Sequence, residues 1–227
     1  MRRASLLVPS LLALLALPAP AARAQDPLPG RMPQLQLPPR MQTPLAGVVV
    51  GGWVEYSMVD RKTAKRLRLH WALVGQEGSK RWWELTIRDG QQPAMRIKSL
   101  VRGPVNQPSH VERVIVQTGS QTPLELPLKQ GQQLVDVYTR PRPGGRIRDL
   151  GTEKIVTAAG TFESRHHAWT DADGFGAEEW TSPAVALWGL VRFQNRRFLM
   201  ELVGHGKNAR SQVTGVPVRW QIPGYQP

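Results

Sequence analysis

The sequence predicts an all-β domain made of short antiparallel strands, with few or no helices. Three observations lead to this fold class. Apolar and polar residues alternate with a period of two after residue 47, and clusters of Gly, Pro, Asn and Asp separate the alternating runs. No segment combines a clear 3.6-residue period with helix caps, and the best helix candidate is the short run 130–137. Together these features predict about ten to twelve short strands, a count typical of all-β proteins.

Composition limits what the chain can be. The 227 residues suffice for one or two domains, and 41% hydrophobic residues with 21% charged residues is a globular composition. The absence of cysteine excludes disulfides, thiolate metal sites, a thiol nucleophile and a lipid-modified cysteine. The net charge of +13 shows that the chain is strongly basic.

Residues 1–24 have the pattern of a signal peptide. Arg2 and Arg3 precede an apolar run at 6–17, and Ala22 and Ala24 flank Arg23 in the small-x-small arrangement that precedes cleavage. The apolar run would span only about 18 Å as a helix, which is too short for a bilayer core of about 30 Å. We therefore predict cleavage before Gln25 and a location in the periplasm or outside the cell.

A proline-rich segment at 25–46 follows the predicted cleavage point. It holds six prolines, and proline has no N–H to donate to a sheet. We interpret this segment as an extended tether. The single antiparallel β domain is then expected at 47–223.

The first half of this domain contains the clearest strand. In 66–73, Leu67, Leu69, Trp71 and Leu73 share one face, and the residues between them are mostly polar. Asp89-Gly90 is a typical hairpin turn. Further strands are predicted at 53–56, 82–87, 95–97 and 111–116.

The second half repeats this pattern. Strands are predicted at 155–158 and 161–169 around Gly160, with a turn at 171–176. An Asp/Gly turn is favoured there over a calcium loop, because the spacing of an EF-hand is missing. The remaining strands are predicted at 177–181, 185–193, 197–203 and 213–222, with a turn at Gln194-Asn195.

Several short motifs in this half are arranged in a familiar order. The run IVTAAGTF at 155–162 precedes His166-His167, then Glu179-Trp180, the run V-x-L-x-G-L-V at 185–191, and Glu201-Leu202-Val203. This order resembles exported envelope proteins of the LolA/LppX-like superfamily. The resemblance implies a strongly curved antiparallel sheet, an unclosed barrel with an apolar concave face, and no catalytic residues. The lipoprotein carriers of that superfamily cover the concave face with helices.

Tryptophans are the candidate ligand-binding residues. Eight Trp is a large number beside four Phe, and aromatic walls suit acyl chains, with indole N–H groups available to head groups. The alternative is that these side chains fill the core. The candidates at expected inward positions are Trp53, Trp71, Trp83, Trp180 and Trp188.

Basic residues form three groups along the chain, at 61–68, 140–148 and 192–197. Because an exported protein does not meet cytosolic nucleic acid, the phosphates of anionic lipid head groups are the expected partners. The alternative is an arginine-rich composition spread over solvated faces. The predicted anion-binding residues are Arg140, Arg142, Arg146 and Arg148.

Catalytic and metal motifs find little support. His166 and His167 are adjacent, so a regular strand would point them to opposite faces, away from one common metal. No G-x-S-x-G elbow or phosphate loop is present. We therefore expect no catalytic residues, no metal site and no cofactor.

The leading prediction is a non-enzymatic envelope protein that binds an apolar or lipid-like ligand on the concave face. The alternative is a structural or interaction protein with a filled core, which binds envelope proteins. A weaker alternative is a metal-dependent hydrolase that uses His166 or His167.

Overall fold

The computed structural model describes residues 48–90, 92–103, 107–139, 145–171, 174 and 176–220; the side chains of 137–139, 145 and 171 are not described. The predicted signal peptide and nearly all of the proline-rich tether lie outside these residues, as do Arg140 and Arg142.

The described residues form one sheet of twelve strands that is not closed into a barrel, which confirms the predicted fold class. The strand order is β12-β6-β5-β4-β3-β2-β1-β11-β10-β9-β8-β7, so β12 and β7 are the edges. Ten of its eleven strand pairs are antiparallel, and only β12 runs parallel to its neighbour β6. The strands are β1 Trp53–Asp60, β2 Arg66–Glu77, β3 Lys80–Arg88, β4 Met95–Val101, β5 Val111–Thr118, β6 Leu124–Glu125, β7 Gly145–Thr157, β8 Gly160–Asp171, β9 Gly176–Thr181, β10 Leu190–Asn195, β11 Phe198–Gly206 and β12 Val218–Arg219.

Among the described residues, one α-helix, α1, spans Leu128–Thr139 and confirms the helix predicted around 130–137. It packs against β5, where the side chain of Gln132 donates a hydrogen bond to the carbonyl oxygen of Val111 at 3.1 Å. Gly131 allows a close approach, because a Cβ at that position would lie 2.8 Å from the side chain of Val114. A short 3-10 turn, Pro108–His110, precedes β5.

Three strand predictions are wrong in their extent. The strand predicted at 185–193 begins only at Leu190, because Leu187 (φ +61°) and Gly189 (φ +74°) have left-handed backbone that cannot continue a strand. The strand predicted at 213–222 shrinks to Val218–Arg219. In contrast, β7 starts ten residues earlier than predicted; its first part is solvent-exposed on both faces and so has no apolar alternation.

The sheet has an inner face that carries most of the core. Cross-strand partners share a face, and the register places Val54 opposite Trp71 and Met58 opposite Met200. All four side chains are buried, which identifies the inner face. Helix α1 covers this face at β5, since Val114 is the partner of the inner-face residue Ser99.

The outer face is covered in part by a strap, which we define as residues 207–214 after β11. The strap carries Ser211 and Gln212, whose hydroxyl and backbone N–H donate to the buried carboxylate of Glu84 at 2.6 and 2.8 Å. Further along, the backbone N–H of Thr214 donates to Gln117 at 3.1 Å. Val213 packs on a small apolar cluster of Trp82, Leu100 and Ile115.

Candidate functional site

Three tryptophans meet on the inner face and form the candidate site. Trp71 lies on β2, Trp83 lies on β3, and Trp188 comes from the loop between β9 and β10. The ring of Trp188 stacks on Trp83 with centroids 5.5 Å apart and meets Trp71 edge-on at 5.3 Å. We call these three residues the inner-face tryptophan cluster.

The indole N–H groups of this cluster have an unusual environment. All three Nε1 atoms are buried, and none has a hydrogen-bond acceptor among the described residues. Buried indole N–H groups normally find a partner. Two outer-face tryptophans show that normal state: Trp82 donates to Glu77 at 2.8 Å and Trp180 donates to Glu153 at 2.5 Å.

The loop that carries Trp188 is a compact unit at 182–189. Its ends are joined, because the backbone N–H of Ser182 donates to the carbonyl oxygen of Gly189 at 2.7 Å. Leu187 has a φ of +61°, a conformation that costs a non-glycine residue about 1–2 kcal/mol. Its side chain lies over Gly52, where an added Cβ would be 3.2 Å away. The backbone hydrogen bonds Val185 N–H to Ser182 O and Gly189 N–H to Ala186 O also lie within the loop, so Trp188 is carried by a locally closed turn with a strained residue beside it.

Adaptable side chains continue the inner face beyond the cluster. Met58 and Met200 are register partners, and Met95 is also buried on this face. Methionine side chains are flexible and polarizable, so they can repack around different shapes. Tyr56 is fully buried and donates its hydroxyl to Leu190 O at 3.1 Å. Burial raises the pKa of this phenol, which stays neutral.

Trp53 lies on the outer face, which corrects its predicted inward position. Its neighbour Val54 is the inner-face partner of Trp71, and adjacent strand residues point to opposite faces. The ring of Trp53 stacks on His70 at 5.4 Å and covers Gly204 on β11. Burial is the largest cause that lowers the pKa of His70.

Trp180 is also on the outer face, for the same reason of strand register. Its cross-strand partners are His166 and Arg192, and its ring stacks on His166 at 4.2 Å. The two carboxylates near His166 lie on different sides of the imidazole: Glu153 is 3.0 Å from Nδ1, and Glu178 is 3.8 Å from Nε2.

The positions of His166 and His167 test the alternative of a metal-dependent hydrolase. His166 pairs with Trp180 and His167 pairs with Glu179, so the two histidines lie on opposite faces as predicted. Within the described residues, no group of three or more His, Asp and Glu side chains is arranged to hold a metal ion.

The predicted anion-binding residues are only partly described. Arg146 and Arg148 are exposed on the edge strand β7, and Arg140 and Arg142 lie outside the described residues. Arg148 has Ala168 as its cross-strand partner, away from the inner-face tryptophan cluster. The basic groups at 61–68 and 192–197 are far apart in the sequence, but the pairing of β1 with β11 brings parts of them together.

The comparisons with known proteins give only distant likenesses. No family model matches the chain, and no curated protein matches its sequence. A candidate lipoprotein from Parabacteroides distasonis is 13% identical, with a TM-score of 0.33 over 70% of this chain and 96% of its own. A candidate exported protein with a YmcC-like fold from Bacteroides fragilis is 10% identical, with a TM-score of 0.35 over 70% and 97%. A DUF1329 family protein from Desulfovibrio piger is 8% identical, with a TM-score of 0.29 over 73% and 87%.

TM-scores of 0.29–0.35 are too low to assign a function to this chain. Among the described helices, α1 included, none has the length and apolar character needed to cross a bilayer.

Proposed function

We propose that the inner face binds an apolar ligand that carries a hydrogen-bond acceptor, such as a fatty acid or another acyl lipid. The observation that supports this is a cluster of three contacting rings, Trp71, Trp83 and Trp188, whose buried indole N–H groups have no acceptor among the described residues. A carboxylate, phosphate or ester oxygen of a ligand is the chemical group that these donors lack.

The energetics favour such a ligand. A buried donor without a partner costs about 1–3 kcal/mol, and a hydrogen bond to a charged acceptor contributes about 1.5–3 kcal/mol. Each of these donors that reaches an entering acceptor group therefore adds to the affinity for the ligand. In contrast, the buried indoles of Trp82 and Trp180 on the outer face already donate to carboxylates.

The apolar part of the ligand would lie against the rest of the inner face. The flexible side chains of Met58, Met95 and Met200 can repack around an acyl chain without breaking a fixed contact. Access to the cluster requires the 182–189 loop to move. The strain at Leu187 lowers the cost of that movement, since it is released when the loop leaves its position.

A second candidate function has its own supporting observation. The three rings are each at most 4% exposed and contact one another, which is the packing expected of a filled core. In that case the inner face is structural, and the protein acts by binding a partner in the envelope.

Oleate titration of the full chain, followed by tryptophan fluorescence, separates the two candidates. Single Trp71→Phe and Trp83→Phe variants keep an aromatic ring but lose the N–H donor. If the proposal is correct, each variant weakens oleate binding about tenfold, the effect of one lost charge-assisted hydrogen bond.

Trp53→Phe and Trp180→Phe are the matched controls, because both residues lie on the outer face. They should leave oleate affinity unchanged. Loss of affinity in all four variants would point to a general loss of stability, and absence of oleate binding to the wild-type chain would favour the filled-core function.

A further inference from the structure

Two neighbouring turns at one end of the sheet carry a dense group of cations. The β1–β2 turn and the β10–β11 turn lie side by side, because β1 pairs with β11 and Asp60 is the partner of Phe198. Hydrogen bonds from Arg61 join the turns. Its backbone N–H donates to Arg197 O at 2.7 Å, and the guanidinium of Arg61 donates to Asn195 O at 3.1 Å. We call this group the cationic turn pair; its members are Arg61, Lys62, Lys65, Arg66, Arg196 and Arg197, all of them exposed.

The negative charge near these turns balances only part of the positive charge. Asp60 binds Arg197 at 3.1 Å and accepts the backbone N–H groups of Lys62 and Thr63, and Asp89 pairs with Lys65 at 2.6 Å. Glu178 also lies nearby and accepts a hydrogen bond from Gln194 at 2.7 Å. These three carboxylates against the six cations leave the nine described groups with a net charge of +3. Among the described residues, four of the six cations form no ion pair. Arg61 donates hydrogen bonds to Asn195 O and to Gln194. The other three are Lys62, Arg66 and Arg196.

The register adds another cation at the same end of the sheet. Ile147 on β7 pairs with Trp169, Trp169 pairs with Ala177, and Ala177 pairs with Asn195 beside the cationic turn pair. The exposed Arg146, next to Ile147, therefore lies at this end as well.

We propose that the cationic turn pair docks the protein on a bilayer that contains anionic lipid. Clusters of four to eight Lys and Arg residues are the size that binds such surfaces. The turns contain no aromatic residue between Asp60 and Arg66 or between Asn195 and Arg197, so they offer no platform on which nucleic-acid bases could stack. Docking through these turns does not depend on what the inner face binds.

Vesicle co-sedimentation of the full chain tests this proposal. The probes are vesicles of phosphatidylcholine alone and equimolar mixtures of phosphatidylcholine with phosphatidylglycerol. We expect binding only to the mixed vesicles, and a large loss between about 0.1 M and about 1 M salt, as the Debye length falls from about 10 Å to about 3 Å.

A pair of triple variants with the same change in net charge locates the surface. The test variant is Lys62→Gln/Arg66→Gln/Arg196→Gln, which removes only cations without an ion pair. At about fivefold per residue, it should weaken binding about 100-fold. The control variant removes three exposed cations on the β2–β3 hairpin and the strap, away from these turns: Arg81→Gln/Lys207→Gln/Arg210→Gln.

The control should bind mixed vesicles nearly as well as the wild-type chain. Equal loss in both variants would mean that net charge alone drives binding, and would overturn the assignment to these turns. Equal binding of the wild-type chain to both vesicle types would overturn the proposed docking on anionic lipid. Binding to a soluble DNA duplex but not to vesicles would overturn it as well.

Discussion

Replacement of Gly131 by alanine should destabilise the protein, although the same change in an exposed helix is stabilising. Gly131 is an interior residue of α1, where alanine is favoured over glycine by about 1 kcal/mol. Here, however, a Cβ would lie 2.8 Å from both Cβ and Cγ2 of Val114, whereas carbon atoms normally approach only to about 3.5–4.0 Å.

The size of the effect follows from which atoms collide. The Cβ of Val114 is attached to the backbone of β5, so it cannot rotate away, and the helix must shift instead. Overpacking of this kind costs about 1–3 kcal/mol. After subtraction of the helix-propensity gain, we expect Gly131→Ala to lower the free energy of unfolding by about 1 kcal/mol, or the melting temperature by about 2–4 °C.

Urea unfolding of a double-mutant cycle measures this effect. Val114→Ala alone should be destabilising because it leaves a cavity, but Gly131→Ala should cost less, or even stabilise, in the Val114→Ala background. A stabilised single Gly131→Ala variant, or strictly additive effects, would refute the close helix–sheet contact.

Three further predictions concern the outer face. Gly51→Ala should lower the free energy of unfolding by more than about 2 kcal/mol, because the added Cβ would lie 2.2 Å from a backbone carbonyl oxygen of the strap at a φ of +94°. The control Gly78→Ala has open space around it and should lower this free energy by only about 1 kcal/mol. Equal urea midpoints for the two variants would contradict this. Ser211→Ala should lower the free energy of unfolding by about 1.5–3 kcal/mol, because it removes a hydrogen bond to the buried carboxylate of Glu84. An unchanged urea midpoint would show that Ser211 does not anchor the strap. Burial lowers the pKa of His70, so the unfolded chain takes up a proton at a higher pH than the folded chain does. The contribution of His70 to the free energy of unfolding is therefore fully present above the unfolded pKa of about 6.5 and is lost as the pH falls below it. A His70→Phe variant should show a flatter dependence of melting temperature on pH, and identical curves would contradict this.

The sequence was sufficient to predict the fold class because strand alternation is a local signal. The run from Leu67 to Leu73 shows its buried face directly, and β2 has the predicted pattern. The extent of β7 was not predictable, since its first half is exposed and carries no alternation. The interruption before Leu190 was also hidden, because the left-handed backbone of Leu187 is imposed by the loop and not by a glycine at that position.

The candidate site was predictable only in part, because it depends on strand register and on contacts between distant parts of the sequence. Trp71 and Trp83 lie on the inner face as expected from their strands, whereas Trp53 and Trp180 differ by one position in the alternation and point the other way. Which indoles lack an acceptor depends on contacts such as that of Trp180 with Glu153, 27 residues away in the sequence. The joining of two basic segments into the cationic turn pair likewise depends on the long-range pairing of β1 with β11.

The most direct test of the proposed ligand site is a nuclear magnetic resonance spectrum of the indole N–H groups, recorded with and without oleate. The chain has eight tryptophans, and single Trp→Phe variants assign their signals. If an acceptor enters the inner-face tryptophan cluster, the signals of Trp71, Trp83 and Trp188 move downfield, and those of Trp82 and Trp180, which already donate to carboxylates, stay in place. Unmoved signals from the cluster at saturating oleate would contradict the proposed site.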